Sequence, residues 1–457
     1  MTGVVAVVDI GKTNVKLALF APDGALLWER STPNRVLPGP PYPHADVATI
    51  WSFLIAALRD ANAAHPIDAI VPTTHGCAGA LIDAEDLVLP VMDYEFSGVD
   101  EIEPFYATLR PPYSETLSPK LPFGHNLGRQ IAWQRWRFPE AFAKAKHYLT
   151  YPQYWSWRLS GAAASEVTMQ GAHTDLWAPL RRRPSSLAAA LDLPRLMPAF
   201  RSAWDRLGAV KPEVAAFTGL DGQTSVLCGA HDSNASLLPH LASREPPFTI
   251  VSTGTWVVLM APGLGLDRLN EADGMLANVD VEGRPTACAR FMGGREHSEI
   301  VGGAHGNPDE ASLARVIASR AMALPCFAAQ GGPFASRKGE VRGQVAAVDR
   351  PALATLHIAL MSDLMLTRLG ANAGDLIIEG SFAANAAFGN LLAAMRSSQR
   401  VFVGSDAAGT ARGAALLAQW PIEKMEATRQ SAVPSKEIES LSTYKTTWLK
   451  AISAIEA

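Results

Sequence analysis

The chain has 457 residues, of which 48% are hydrophobic and 18% charged, and its formal net charge is −4. This composition is typical of a compact globular protein and excludes wholesale disorder or a coiled coil. At roughly 150 residues per domain the length predicts two or three domains, and the small net charge gives no reason to expect a nucleic acid or an anionic membrane as partner. We therefore expect a small-molecule ligand.

The cysteines and the apolar segments predict a cytoplasmic protein. The four cysteines are widely spaced, with neither the paired spacing of a metal site nor the density of a disulfide scaffold. The apolar run Val4–Val8 is too short for a signal peptide, and no stretch reaches the roughly 18 uncharged residues of a membrane span. We expect neither secretion nor a membrane partner.

The opening of the chain predicts three strands, followed by helices that alternate with strands. Val4–Val8 is rich in β-branched residues, a polar turn follows at 9–14, and 15–20 resumes the apolar pattern. A third strand is expected at 25–30, and 47–64 has the apolar spacing of a helix. Further predicted elements are a strand at 69–72 and helices at 127–136, 139–146 and 152–159. The alternation indicates an α/β fold.

The second half of the chain repeats this opening in outline. The segment 241–247 ends one helical pattern, so we place the boundary between domains 1–243 and 244–457 there. A strand, a Gly/Thr turn and a second strand follow within 248–260. Turn chemistry alone would explain one such hairpin, but two that each open half of the chain favour a duplication with a ligand between the halves. Further elements expected are strands at 375–378 and 401–403, helices at 391–395 and 414–419, and a peripheral helix within 435–457.

Tight turns of glycine and threonine predict phosphate binding. Such a turn exposes backbone N–H groups and hydroxyls to an anion, and Lys12 adds a positive charge between Gly11 and Thr13. Asp9, directly before the turn, could hold Mg²⁺ through water, because magnesium keeps several waters and takes few protein carboxylates. No Gly-x-x-x-x-Gly-Lys-Ser/Thr segment follows a strand here, so the turn is not a P-loop.

Two further segments carry candidate chemistry. Asp232 could cap a helix that starts near Ala235, or it could act as a general base for an attacking hydroxyl, and its place just before the domain boundary favours the base. The turn at Gly380 and Ser381 follows a predicted strand, which is a common but weakly specific signal for a nucleotide site.

Five motifs occur in the order found in the FGGY carbohydrate kinases, which the chain resembles over essentially its whole length. The motifs are Asp9–Lys16, His231–Ser236, Ser252–Trp256, Glu379–Asn385 and Ala408–Leu417. The second and third look most like the L-rhamnulokinase and L-fuculokinase branch. The resemblance implies an α/β protein of two actin-like (ribonuclease H-like) domains, each a mixed sheet flanked by helices, with the active site in the interdomain cleft.

The resemblance also implies a reaction, in which ATP with Mg²⁺ phosphorylates a hydroxyl of a ketose. Domain 1–243 would bind the sugar and carry the base, and domain 244–457 would bind ATP. The base carries over to Asp232, and Asp9 is the candidate metal residue. The residues that would contact ATP are Gly11, Lys12, Thr13, Thr253, Gly254, Thr255, Gly380, Ser381 and Asn385. Those that would contact the sugar are His75, Gly76, Asp93, His231 and Asp232.

The chain departs from the family pattern at two places. Ser381 stands where family members usually carry a second glycine, which affects the expected fit around adenine. Arg295 and Glu296 stand at a helix start that is apolar in rhamnulokinases. They are either a solvated pair or residues that face the cleft and alter the substrate preference.

The identity of the substrate stays open at this stage. L-rhamnulose or L-fuculose is preferred, and a pentulose or polyol (xylulose, ribulose, glycerol or erythritol) is the alternative. A non-catalytic ATP and sugar sensor is disfavoured because a sensor needs no base. A dinucleotide oxidoreductase is excluded because no Gly-x-Gly-x-x-Gly follows the first strand. A homodimer is one option for the oligomeric state.

Overall fold

The computed structural model describes residues 3–303, 306–328, 332–335, 337–404, 409–425 and 430–456. These residues form two compact units. Unit 1 comprises the described part of 1–243, 277–285 and 408–426, and unit 2 comprises the described part of 244–276, 286–407 and 427–457. The prediction of two consecutive domains did not include the two later segments of unit 1. Ala408 of the fifth motif lies outside the described residues.

The strands of the described residues are numbered in chain order. They are β1 (Val4–Ile10), β2 (Asn14–Phe20), β3 (Leu26–Pro33), β4 (Val36–Leu37), β5 (His44–Ala45), β6 (Ile67–Thr74), β7 (Gly79–Ile82), β8 (His147–Thr150), β9 (Trp177–Ala178), β10 (Arg183–Pro184), β11 (Arg206–Ala209), β12 (Ser225–Leu227), β13 (Ala230–His231), β14 (Thr249–Thr253), β15 (Val257–Ala261), β16 (Leu276–Val279), β17 (Pro285–Phe291), β18 (Met322–Leu324), β19 (Glu340–Arg342), β20 (Leu376–Gly380), β21 (Val401–Gly404) and β22 (Gln430–Val433).

The α-helices are numbered in the same way. They are α1 (Val47–Ala64), α2 (Glu103–Leu109), α3 (Tyr113–Thr116), α4 (Leu127–Arg137), α5 (Pro139–Lys144), α6 (Tyr151–Ser160), α7 (Val167–Gln170), α8 (Ser186–Ala190), α9 (Pro212–Thr218), α10 (Asp232–Ser243), α11 (Gly293–Val301), α12 (Glu310–Ser319), α13 (Arg350–Leu369), α14 (Ala386–Met395), α15 (Gly409–Leu416) and α16 (Leu441–Glu456).

The main sheet of unit 1 is mixed, with the strand order β11-β12-β6-β1-β2-β3 and with β13 beside β6. The hairpin β1–β2 is antiparallel, and β1 runs parallel to β6. The register places Asp9 opposite Thr73, and β13 pairs Ala230 with Thr73 and His231 with Thr74. Because the carboxyl ends of these parallel strands meet at one edge, the fold brings the turn after β1, the loop after β6 and Asp232 to the same place.

The main sheet of unit 2 repeats this topology. Its strands run in the order β16-β17-β15-β14-β20-β21-β22, and the order from β17 to β22 corresponds to that of the first sheet from β3 to β11. In both sheets an antiparallel hairpin (β1–β2 or β14–β15) is extended on one side by an antiparallel strand, β3 or β17. On its other side two strands run parallel to the first hairpin strand, β6 and β12 or β20 and β21. An antiparallel strand, β11 or β22, follows them. The two Gly/Thr turns occupy the same position in the two sheets, between the hairpin strands. This equivalence is what a duplication predicts.

Both faces of the unit 1 sheet are buried. Ala6, Val8 and Ile10 pack into a cluster with α1 and α6, whereas Val5 and Val7 pack on the other face into a cluster that includes α10 and α15. A strand covered on both faces needs no polar alternation, and this explains the continuous apolar run that opens the chain.

The helical stretch Ala347–Leu369 is long and apolar enough, by length and composition alone, to cross a membrane. In the structure 89% of its most apolar window is buried, and its side chains belong to the hydrophobic cluster of unit 2. We interpret it as the core helix of that unit.

The expectation that the C-terminal helix is peripheral is wrong. Trp448 of α16 is completely buried, and its Nε1–H donates to the backbone oxygen of Ala323 at 2.9 Å. Leu441, Tyr444 and Ile452 lie on the same buried face. Helix α16 therefore completes the core of unit 2.

Candidate active site

The turn after β1 leaves two backbone donors free. The Gly11 N–H donates to the backbone oxygen of Asn14 at 2.9 Å. Asn34 supports the turn: its side-chain amide donates to the backbone oxygen of Gly11 and its backbone N–H donates to that of Thr13, both at 2.8 Å. Among the described residues the N–H groups of Lys12 and Thr13 have no hydrogen-bond partner. The turn can therefore present two N–H groups to an anion. Nothing in the sequence marked Asn34 as its support.

Lys12 lies beside the predicted sugar residues. Its ammonium forms an ion pair with Asp93 and another with Glu95 at 3.4 Å, and it sits 4.4 Å from the centre of the Tyr94 ring. Lys12, Asp93, Tyr94 and His75 line a recess of about 20 Å³, a volume that admits a single water or hydroxyl group. An ammonium paired with two carboxylates adds little net positive charge for a phosphate.

Asp9 is a carboxylate without a protein partner. No hydrogen bond or ion pair reaches its side chain among the described residues. Burial, and after it the charge of Asp232, raises the pKa of Asp9 to about 7, while Lys16 opposes the shift. Within the described part of the chain no three metal-ligating side chains form a cluster. A desolvated, unpaired carboxylate therefore fits Mg²⁺ held largely through water and phosphate.

Replacing Asp9 by asparagine is expected to stabilise the metal-free protein. A pKa that is higher in the folded state than the unfolded value of 3.8 means that ionising Asp9 favours unfolding. The penalty grows as the pH rises from about 4 to about 7 and then stays constant, so Asp9→Asn is expected to raise the free energy of unfolding by up to about 4 kcal/mol at pH 8. Denaturant titrations between pH 4 and pH 8 measure this difference.

The exposed Asp23 provides the control for the loss of a carboxylate, and Asp23→Asn is compared with Asp9→Asn at each pH. If Asp9→Asn raised the free energy of unfolding equally at pH 4 and pH 8, ionisation of Asp9 would not be the cause.

Asp232 is the first residue of α10, and the two oxygens of its carboxylate differ in their contacts. Its Oδ1 accepts from the Ser233 N–H at 2.6 Å and lies 3.2 Å from His231 Nε2. Its Oδ2 has no partner among the described residues, and about 30% of the side chain is exposed. An accessible carboxylate oxygen of this kind can accept a proton from a hydroxyl.

His75 and His231 surround this carboxylate in different ways. His75 Nδ1 lies 2.7 Å from the Gly76 oxygen and must carry the proton there, which leaves Nε2 as an acceptor. Burial lowers the pKa of both histidines. His231 is only 5% exposed, and its ring contacts Asp232 and Asn234. A Cβ on Gly76 would lie 2.8 Å from His231 Nε2, so only glycine fits beside that ring.

The equivalent turn of unit 2 gives its two threonines different environments. Thr253 is buried. Its hydroxyl donates to the backbone oxygen of Glu379 and accepts from the Phe382 N–H at 2.9 Å. Thr255 is exposed, and its N–H and hydroxyl have no partner within the described residues. The Gly254 N–H closes the turn by donating to the Trp256 oxygen at 2.8 Å. Thr255 is thus the threonine of this turn that is open to a ligand.

The turn after β20 packs tightly on the turn after β14. Gly380 has φ +82° and ψ −152°, and a Cβ there would lie 1.9 Å from the Thr253 oxygen. The Ser381 hydroxyl donates to the same oxygen at 3.3 Å. Asn385 is 5% exposed and its amide is engaged, donating to Thr355 at 3.0 Å and capping α14. Gly380 and Asn385 therefore shape this turn from within.

A cavity of about 570 Å³ opens beside these turns in unit 2. Its lining includes the residues Gly254, Thr255, Gly294, Arg295, His297, Ser298, Glu299, Asn307, Ser381, Phe382 and Asn385. A Cβ on Gly294 would lie 2.1 Å from the Gly254 oxygen, so the start of α11 rests directly on the Gly/Thr turn. The volume suits a small organic ligand.

The side chains of Arg295 and Glu296 lie in different environments. Arg295 is exposed, lines the cavity and has no partner among the described residues. Glu296 is 1% exposed and lies 2.7 Å from His357 Nε2. The interpretation of the two as a solvated pair is therefore wrong for Glu296, because the inner face of α11 buries it against α13.

Two family models match the chain. The N-terminal domain of the FGGY family of carbohydrate kinases matches residues 4–239, and the C-terminal domain of carbohydrate kinase FGGY matches residues 245–427. The chain belongs to the FGGY family. The predicted resemblance is thereby confirmed.

Curated relatives of this FGGY protein include L-fuculokinases. The L-fuculokinase of Escherichia coli K12 is 25% identical over 300 residues, which is 61% of this chain and 61% of that protein. The L-fuculokinase of Salmonella typhi is 26% identical over 302 residues, with the same coverage. The matched segment thus spans about three-fifths of these relatives. That these relatives are L-fuculokinases supports the predicted L-rhamnulokinase and L-fuculokinase branch.

Solved structures of carbohydrate kinases superpose on nearly the whole chain. A carbohydrate kinase from Novosphingobium aromaticivorans has a TM-score of 0.89 and 32% identity, with 100% of both chains covered. A xylulose kinase from Rhodospirillum rubrum has a TM-score of 0.82 and 17% identity over 99% of both chains, and shows the fold alone. The predicted α/β class, with two mixed sheets flanked by helices, is confirmed.

Proposed function

We propose that the protein transfers the γ-phosphoryl group of ATP to a hydroxyl group of a ketose. The observation that carries the proposal is the free Oδ2 of Asp232, which lies at the sheet edge that also bears Asp9 and His75. Asp232 is close enough to both to influence their pKa values. Membership in a family of carbohydrate kinases supports the same reaction class.

In the proposed mechanism Asp232 accepts the proton of the attacking hydroxyl through Oδ2 while the new O–P bond forms. The bond from the γ-phosphorus to the bridging oxygen of ATP breaks at the same time, and ADP leaves with that electron pair. Its Oδ1 stays fixed by Ser233, with the His231 ring beside it. The Nε2 of His75 accepts a hydrogen bond from a second hydroxyl of the acceptor, and Asp93 with Lys12 holds a third in the adjoining recess. Phosphoryl transfer mainly requires alignment and stabilisation of charge, and these contacts supply the alignment.

The nucleotide is proposed to occupy the cavity of unit 2. Thr255 would contact phosphate through its N–H and hydroxyl, and Arg295, which has no partner among the described residues, would add a positive charge. Gly254, Ser381 and Asn385 shape the wall, and Thr253 and Gly380 act as structural residues. The N–H groups of Lys12 and Thr13, next to Gly11, would bind the transferred phosphate.

Magnesium is proposed as the metal. When bound, it would neutralise charge that develops on the phosphate oxygens, and Asp9 would hold it through water. Raising the pH through about 7 ionises Asp9, which favours a cation at this position.

The preferred acceptors are L-fuculose and L-rhamnulose, and the L-fuculokinases among the relatives support the first. The alternative is a pentulose or a polyol, because a difference of one hydroxyl or methyl group depends on pocket shape. A non-catalytic sensor is the third candidate. We propose a cytoplasmic location with ATP and a sugar as partners, without nucleic acid or membrane, and leave a homodimer as an option.

ADP release with Mg²⁺ and ATP, measured against a panel of sugars, tests the proposal. The panel is L-fuculose, L-rhamnulose, the xyluloses, the ribuloses, glycerol and erythritol. Strong stimulation by L-fuculose or L-rhamnulose is expected. Stimulation by another panel member would replace the acceptor and keep the reaction, whereas ATP binding without stimulation by any member would favour the sensor.

A further inference from the structure

Glu166 is a completely buried carboxylate that the proposed mechanism does not use. It precedes the short helix α7, and its oxygens accept from the N–H groups of Thr168 at 2.9 Å and Met169 at 3.3 Å. The hydroxyl of Thr168 lies 2.5 Å from Glu166 Oε2. Burying a carboxylate is costly unless every oxygen is satisfied, so this local network is held tightly.

The Thr168 hydroxyl connects Glu166 to the residue before Asp232. Its oxygen accepts the His231 N–H at 3.0 Å, and both residues are buried. Because the N–H occupies one side of the oxygen, the hydroxyl proton points to Glu166, the nearest acceptor. The donors and acceptors are therefore fixed: the His231 N–H donates to the Thr168 hydroxyl, and that hydroxyl donates to Glu166.

The His231 ring also lies beside the Asp232 carboxylate. Its pKa is lowered by burial, so the ring is neutral and holds one N–H. Asn234 Nδ2 lies 3.3 Å from Nδ1, and Nε2 lies 3.2 Å from Asp232 Oδ1. With Nδ1 accepting from Asn234, the proton is on Nε2, and this nitrogen lies beside Asp232 Oδ1. Because His231 directly precedes Asp232, fixing its backbone N–H also restrains the backbone that carries Asp232.

We propose that Glu166 and Thr168 are positioning residues for the base Asp232. The inference rests on the proposed kinase function and deepens it. Neither residue touches a substrate. They hold the backbone of His231, the residue directly before Asp232, so that Oδ2 stays aligned with the acceptor hydroxyl. A shift of about 1 Å in a reacting group can lower the rate about a hundredfold.

The test compares Thr168→Val, which removes the hydroxyl while keeping the shape, with Thr168→Ser, which keeps the hydroxyl. Thr218 supplies a matched control: it is 1% exposed, donates to the Val214 oxygen at 2.6 Å and accepts from the Leu220 N–H at 3.4 Å, without any path to Asp232. Both valine variants lose the same kind of buried hydrogen bonds.

We expect Thr168→Val to lower kcat at least about tenfold with L-fuculose, or with the panel sugar that the wild type phosphorylates fastest, while KM for ATP stays within about twofold. Thr168→Ser and Thr218→Val should keep kcat within about threefold of the wild type. Amide hydrogen exchange should be faster in the peptide that contains His231 for Thr168→Val alone. Glu166→Gln replaces one of two accepting oxygens by an NH2 group that cannot accept from Thr168 or Met169. It is expected to lower kcat in the same direction and serves if Thr168→Val does not fold.

Equal kcat for Thr168→Val and Thr218→Val would overturn the inference and leave the kinase function standing. So would unchanged exchange at His231, a serine variant as slow as the valine variant, or a fully active Glu166→Gln. A wild-type protein that binds ATP yet phosphorylates no sugar of the panel would overturn the proposed function, and this inference with it, before any variant is compared.

Discussion

Asp232→Asn is expected to lower kcat by roughly two to four orders of magnitude while the affinity for ADP stays unchanged. The substitution keeps the size of the side chain and its contact with Ser233, but an amide cannot take a proton from a hydroxyl at neutral pH. The cavity proposed for the nucleotide belongs to unit 2, whereas Asp232 belongs to unit 1. Coupled measurement of ADP release and calorimetric titration with ADP check the two parts separately.

Asp205 offers a control for the loss of a carboxylate from the same unit. It pairs with Arg201 at 2.8 Å in a solvent-exposed i,i+4 contact, which contributes little to stability. Asp205→Asn should therefore keep full activity. An Asp232→Asn enzyme with near-normal kcat would remove Asp232 from the role of base.

Gly380→Ala is expected to destabilise unit 2 by about 3 kcal/mol or more and to abolish nucleotide binding. Backbone angles of φ +82° and ψ −152° are accessible essentially to glycine alone. The new Cβ would also lie 1.9 Å from the Thr253 oxygen, which cannot move without opening the pairing of β14 with β20. Because Thr255 and Ser381 depend on that pairing, the cavity should lose its shape.

Gly389→Ala is the matched control in the same unit. Gly389 lies inside α14, and a Cβ there would meet its neighbours at 3.5 Å or more, which is ordinary contact. Alanine should therefore be neutral or add up to about 1 kcal/mol through its helix propensity. Thermal unfolding followed by calorimetry, together with ADP titration, distinguishes the variants. If Gly380→Ala melts and binds ADP like Gly389→Ala, the close packing of the two turns is not required.

Local patterns predicted the secondary structure around the site well. The helix expected at 47–64 is α1 with the same bounds, because its apolar spacing and the Asp46 cap are local signals. The strands on both sides of each Gly/Thr turn were also predicted to within about two residues. Such elements are decided by neighbours in the chain, and their order was enough to indicate the family.

The partners of the site residues could not be predicted in this way. Lys12 pairs with Asp93, 81 positions away, and the Thr253 hydroxyl bonds to Glu379, 126 positions away. The role of Asp232 as base, the assignments to ATP and sugar, and the metal role of Asp9 stay predictions. The sequence motif treated Thr253 and Thr255 alike, and only the tertiary contacts distinguish the buried residue from the exposed one.

The return of residues 409–425 to unit 1 has a consequence for synthesis of the protein. Ala411, Ala414 and Leu417 cover the face of the first sheet that Val7 and Phe20 present, and Gly413 packs against α10 with room for no Cβ. When the first 243 residues have been made, α10 is present to cover this face but α15 is not, so part of one apolar face of the sheet is still uncovered. Unit 1 must wait for nearly the whole chain to be translated, so the nascent protein carries an exposed chaperone-binding surface through much of its synthesis.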